Sequence, residues 1–268
     1  DGKPQPLEGA DHESRANSIT VSGGKVLVAG YQDYTGNKFY RAMLWQDGKA
    51  TCLDPGSLQN SKAWKVLVSG TTIYVPFSEG MPYESPYLWK DDGPITVLPA
   101  EGTGRGIPFA MTTDGTTTLI AGSTDSGPTY WKNNTDFYLD SNGGVWDVAY
   151  DGKDAYFGGY FIEAAHAYPG PAIWKNSTRT MLPYTTSGAV KAVVLSGSNL
   201  YAAGASDTNA VIWKNNAVLR QLGRGIVFGL AVDGDDTYAV GNDGKDQAVL
   251  WVNGQATVLD KSGTPFAV

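Results

Sequence analysis

The stretch NAVIWKNNAVLRQL (209–222) reads as two short strands around a turn: an apolar run reaches Trp213, Asn215-Asn216 make the turn, and a second strand ends at Leu222. Asn tolerates positive φ, so a tight hairpin follows. The same ending recurs as RAMLWQDGKATCL (41–53), SPYLWKDDGPITVL (85–98), GPTYWKNNTDFYL (127–139), GPAIWKNSTRTML (170–182) and QAVLWVNGQATVL (247–259). Its tryptophans are Trp45, Trp89, Trp131, Trp174, Trp213 and Trp251, spaced by 44, 42, 43, 39 and 38 residues.

Working outward, a second element precedes each ending: SITVSGGKVLVAG, KVLVSGTTIYVPF, FAMTTDGTTTLIAG, DVAYDGKDAYFGG, AVVLSGSNLYAAG and LAVDGDDTYAVG. Each is two strands around a Ser/Asp-Gly turn, the chemistry of a tight hairpin. A repeat thus holds four strands, A to D, in about 40 residues, the period of propeller blades. A lone four-stranded sheet cannot bury both faces, whereas six packed radially can. The expectation is an all-β, six-bladed β-propeller of four-stranded antiparallel blades around a central channel, with the repeated tryptophan wedged between blades. It forms one domain over residues 1–268: an N-terminal arm at 1–13, then blades at about 14–61, 62–104, 105–144, 145–188, 189–225 and 226–268. Both PLEGADHESRANSITV and VLDKSGTPFAV resemble a D–A junction, so either terminus is a candidate for the closing blade.

The strings LWKDDG, YWKNN, IWKNS, IWKNN and LWVNG resemble the blade ends of six-bladed propellers with YWKNG-type repeats found among secreted bacterial proteins. The resemblance spans 14–268 and implies the fold and export to an extracellular or periplasmic space; most such proteins have no assigned activity. No blade carries both the Gly-His and the Trp-Asp pair of WD40 repeats, and the Gly-Gly pairs fall in different phases, unlike kelch. STDSGPTYW (123–131) approaches a sialidase Asp-box, but only once and between strands B and C.

Composition narrows the function. A net charge of −7 without a Lys/Arg run argues against nucleic acid, which needs clustered cations. No apolar run is long enough for a membrane-spanning helix, and the single Cys52 has no partner for an internal disulfide. No cofactor or metal motif is present: VDGDD (232–236) and NDGKD (242–246) read as turns.

In a propeller, the D–A and B–C loops share one face, at the channel mouth. Counting six residues back from each A–B turn glycine gives Asn17, Trp64, Phe109, Trp146, Lys191 and Phe228, at the start of the innermost strand. Four of the six are large aromatics, with Lys65 and Asp147 alongside and Arg105 and Arg224 in the preceding loops. Such a ring suits a glycan, a peptide or a protein partner, with indoles stacking on C–H faces and charges taking hydroxyls. Alternatively, the aromatics plug the top of the core. The long B–C loops 31–41, 77–86 and 159–170 add Tyr34, Tyr83, Glu163 and His166, besides Asp33, Glu79 and Glu84. The expectation is an exported binding module. The alternatives are a carbohydrate-active hydrolase or lyase, with Asp147, Glu163 and His166 as acid/base candidates, and an adhesive propeller without a small-molecule site.

Overall fold

A computed structural model describes residues 7–9, 13–33, 36, 38–54, 60–91, 93–164, 167–261, 263 and 265. Among these there is no helix, so none is long and apolar enough to cross a membrane. The chain divides into two compact units, residues 1–120 with 131–136 and residues 121–130 with 137–268.

In the first unit, β1 (Ser14–Ser22), β2 (Lys25–Asp33), β3 (Tyr40–Gln46) and β4 (Lys49–Cys52) form one four-stranded antiparallel meander. The next sheet has β7 (Thr72–Glu79), β8 (Ser85–Lys90) and β9 (Thr96–Val97) in order, with both β5 (Ser61–Ala63) and β6 (Leu67–Ser69) on the inner side of β7. A third sheet, β10 (Gly106–Thr113), β11 (Thr118–Thr124), β12 (Gly127–Lys132) and β13 (Thr135–Tyr138), supplies residues to both units.

The second unit continues with β14 (Gly143–Tyr150), β15 (Ala155–Phe161), β16 (Gly170–Lys175) and β17 (Thr178–Met181). Its last sheet runs through seven strands: β18 (Gly188–Ser196), β19 (Asn199–Ser206), β20 (Asn209–Lys214), β21 (Ala217–Asp233), β22 (Asp236–Asp243), β23 (Ala248–Val252) and β24 (Gln255–Asp260). The 17-residue β21 pairs β20 through Ala217–Arg224 and β22 through Gly225–Asp233, so one continuous strand serves as D of one repeat and A of the next.

The turn chemistry explains the repeat. The A–B turn glycines Gly23, Gly70, Gly115, Gly152, Gly197 and Gly234 all take positive φ. The residue two after each repeat tryptophan fastens the other hairpin. Its side-chain oxygen accepts an amide from the first or second residue of strand B: Val26 N donates to Asp47 at 2.9 Å, Ile73 N to Asp91 at 2.9 Å, Thr118 N to Asn133 at 2.8 Å, Ala155 N to Asn176 at 3.0 Å, Leu200 N to Asn215 at 3.0 Å and Thr237 N to Asn253 at 2.9 Å. Asn215 has φ 51° and also donates to Asn199 Oδ1 at 2.9 Å. Asn215→Ala should therefore cost about 1–2 kcal/mol, losing the hydrogen bond and straining the left-handed backbone. Asn215→Gly keeps that backbone and should cost less; thermal unfolding of the two variants measures the difference.

Packing places the repeat tryptophans between sheets. Trp213 is buried with Ile173 and Leu182 of the preceding sheet, and Trp251 with Tyr201 and Ile212. In the first unit, Trp131 meets Leu88 and Leu98, and Trp89 packs on a cluster holding Leu44 and Leu53. Trp45 is covered instead by the N-terminal arm: Leu7 packs against it and its indole N–H donates to Glu8 O at 3.0 Å. Among the described residues the indole nitrogens of Trp174 and Trp213 have no hydrogen-bond partner, so their contribution is volume. The strand-D leucine is also a core residue, at 2% exposure for Leu53, 1% for Leu98, 8% for Leu139 and 1% for Leu182. Leu259 in β24 departs from this at 55% exposed.

The innermost strands share a defect that positions the site. In β1, β14, β18 and β21, pairing slips by one residue at Asn17, Trp146, Lys191 and Phe228, a β-bulge that leaves the extra residue unpaired and re-aims its side chain. Opposite each bulge, strand B carries a glycine: Gly30, Gly159, Gly204 and Gly241. A Cβ on these would lie 1.9–2.0 Å from the carbonyl oxygens of Arg15, Gly144, Ala189 and Ile226. The second repeat has Phe77 in the glycine's place, and there the inner strand is broken between β5 and β6, with Trp64 in the gap.

Candidate functional site

Six positions far apart in sequence share one degree of burial. Asn17, Trp64, Phe109, Trp146, Lys191 and Phe228 are all half-buried, so none is sealed inside the core.

In the first unit they form a contact row. Asn17 Nδ2 donates to Ala63 O at 2.8 Å, and the neighbouring Trp64 meets Phe109 edge to face at 5.1 Å. Trp64 Nε1 donates to Ser78 Oγ at 2.9 Å; Ser78 Oγ donates to Glu84 Oε2 at 2.5 Å, and Lys62 Nζ pairs with Glu84 Oε1 at 2.9 Å. The indole and the local cation are thus both tied to one carboxylate system. Beside them in sequence, the Arg105 guanidinium lies over the exposed Tyr83 ring, 3.2 Å from its centroid, bringing two expected ligand residues together.

In the second unit Lys191 Nζ lies 3.0 Å from the centroid of the Trp146 ring, which also packs at 4.9 Å against Tyr160. Burial lowers the Lys191 ammonium from 10.5 to about 8, because a desolvated cation is disfavoured. No ion pair to Lys191 is found among the described residues. The indole face offsets part of that cost.

Other expected site residues are engaged elsewhere. Asp147 Oδ2 accepts the Val193 amide at 2.8 Å, tying its sheet to the next. Ser18, likewise one residue past a bulge, accepts the Val66 amide at 3.3 Å, so this position acts as a strut between sheets. Glu163 accepts the Tyr184 hydroxyl at 3.2 Å, and Tyr184 is raised by burial first and then by that bond. Asp147 and Glu163 therefore face different partners. Arg224 lines a hollow of about 440 Å³ with Leu222, Asp243, Lys245 and Trp251, whose lining includes neither Trp146 nor Lys191 nor Phe228. Tyr34 and His166 lie outside the described residues. Tyr160 and Ser78 were missed by sequence reasoning; the available signal was strand pairing, since Tyr160 lies on strand B beside the bulge at Trp146 and Ser78 on strand B beside the break at Trp64. No three His, Cys, Asp or Glu side chains gather as a metal site among the described residues.

No family model matches the chain, and no curated protein matches it. Solved structures do. The nidogen/laminin complex is similar at 12% identity, covering 89% of this chain and 90% of that chain, with a TM-score of 0.50. Trypanosoma rangeli sialidase in complex with the inhibitor DANA is similar at 11% identity over 92% of this chain, with a TM-score of 0.50. This chain covers 54% of that sialidase, about half its length. The fold is of the β-propeller type. A GH43 endo-arabinanase from Bacillus licheniformis also matches, at 12% identity, 85% and 97% coverage and a TM-score of 0.41. At these identities the likeness concerns architecture alone.

Proposed function

We propose that this chain is a carbohydrate-binding propeller, its six repeats being six blades, and that the ligand sits at Trp146 and Lys191. The exported YWKNG-type group is the family we assign it to, with an extracellular or periplasmic location. The observation that carries the reading is a half-buried indole and ammonium in contact at 3.0 Å, raised by bulges on rigid inner strands. Aromatic surface beside a hydrogen-bond donor is what a sugar ring uses, and strands hold such groups more firmly than loops do. The likeness to a sialidase agrees with a sugar and the likeness to the nidogen/laminin complex agrees with a protein partner, so it is the aromatic and donor pair that favours the sugar. A glycan array on the purified chain should identify ligands, and Trp146→Ala should then weaken the best of them at least tenfold in calorimetry while the far-UV spectrum is unchanged. Undiminished affinity in Trp146→Ala would remove this site assignment.

Catalysis on the sugar is the second reading. It draws on the same likeness and on Glu163, whose carboxylate is oriented by Tyr184, as the available acid or base. Fluorogenic glycosides test it: turnover that Glu163→Gln abolishes establishes hydrolysis, and no turnover leaves binding as the function.

A further inference from the structure

We infer that the ligand at Trp146 and Lys191 carries a carboxylate, which makes it a hexuronic-acid oligosaccharide with the Lys191 ammonium as its counter-ion. The inference rests on the carbohydrate reading above. The two units differ in one respect that decides the charge of the ligand. Around Trp64, the cation Lys62 is paired with Glu84, and the indole N–H is bound to Ser78. That cluster is compensated within the protein. Around Trp146, Lys191 Nζ lies over the ring with no ion pair among the described residues. The nearest candidate in sequence, Asp147, spends Oδ2 on the Val193 amide. Glu163 is bonded to Tyr184.

A half-buried ammonium retains strong demand for an anion, since its water shell is already incomplete. It is held on a bulge rather than a mobile loop, so little ordering is needed when an anion arrives. The ε-amine occupies one face of the indole, so the ligand meets the amine first and the aromatic edges of Trp146 and Tyr160 around it. A carboxylate attached to a sugar ring matches both features. An acidic peptide supplies the charge without the apolar ring face.

Calorimetric titration with tri-galacturonate, its methyl ester and a neutral trisaccharide tests this on the whole chain, using wild type, Lys191→Met and Lys191→Arg. Expected are a preference of tenfold or more for the acid over its ester, loss of that preference in Lys191→Met, and its recovery in Lys191→Arg. Equal affinity for acid, ester and neutral sugar overturns the counter-ion and leaves the carbohydrate reading standing. An acid preference that survives in Lys191→Met also overturns it. Binding of oligoglutamate as tight as the uronate overturns the sugar class, and binding of none of these sugars overturns both readings. Thermal unfolding midpoints of the variants no lower than that of the wild type separate a lost contact from a damaged fold.

Discussion

Gly204→Ala is expected to destabilise the protein by about 3 kcal/mol or more, seen as a lower urea midpoint. The added Cβ would stand 2.0 Å from Ala189 O, well inside contact distance. The clashing atom is backbone, on a strand paired with β19 from Gly188 to Ser196, so it cannot swing aside as a side chain would. Relief requires the bulge at Lys191 to flatten or the pairing to open. Gly30, Gly159 and Gly241 face the same geometry and should behave alike. The second repeat shows what a side chain there entails, since Phe77 accompanies an inner strand broken after Ala63. Gly197→Ala is the control. Gly197 has φ 58°, but an added methyl there would meet no described atom within 4 Å, so only backbone strain of about 1 kcal/mol applies. If Gly204→Ala proved no more costly than Gly197→Ala, the bulge would not depend on its glycine.

The tryptophans, the glycine turns and the Asn/Asp turns were legible because each is a local signal repeated six times. The bulge was not, because it needs two strands read together. Counting back from the turn glycine finds Trp146 and Lys191, but the reason they are special is the glycine across the ladder, at 159 and 204. For the same reason the strut at Asp147 was hidden: nothing in its own strand announces the Val193 amide of the next sheet. Leu259 matches its repeat partners by sequence yet is exposed, since burial belongs to the covering surface rather than to the leucine. The continuous β21 was also hidden. Gly223 and Gly225, both at positive φ, let the chain pass between two pairings without leaving the strand, where the sequence suggested a loop around Arg224.

Lys191→Met should stabilise the protein near pH 7, and the gain should shrink as pH rises from about 8 toward 10.5. Burial disfavours the folded-state ammonium, taking it from 10.5 to about 8. Below 8 the folded chain carries the full penalty. Between 8 and 10.5 it has released a proton that the unfolded chain still holds, so wild-type stability rises with pH across that window. Desolvation alone corresponds to about 3 kcal/mol. The Trp146 face beneath Nζ favours the cation and returns about 0.5–2 kcal/mol, so a net gain of about 1–2.5 kcal/mol is expected for the variant. Asp147, next to Trp146 in sequence, accepts the Val193 amide through Oδ2. Urea unfolding of wild type and variant from pH 7 to 10.5 measures the difference and cancels tyrosines common to both. A difference that stays flat with pH would mean Lys191 is not desolvated. If it narrows as expected, the residue costs stability at the pH where it is charged, and an anionic ligand is what would recover that cost. Uronate affinity should then decline above pH 8, in the same window in which the empty protein gains stability.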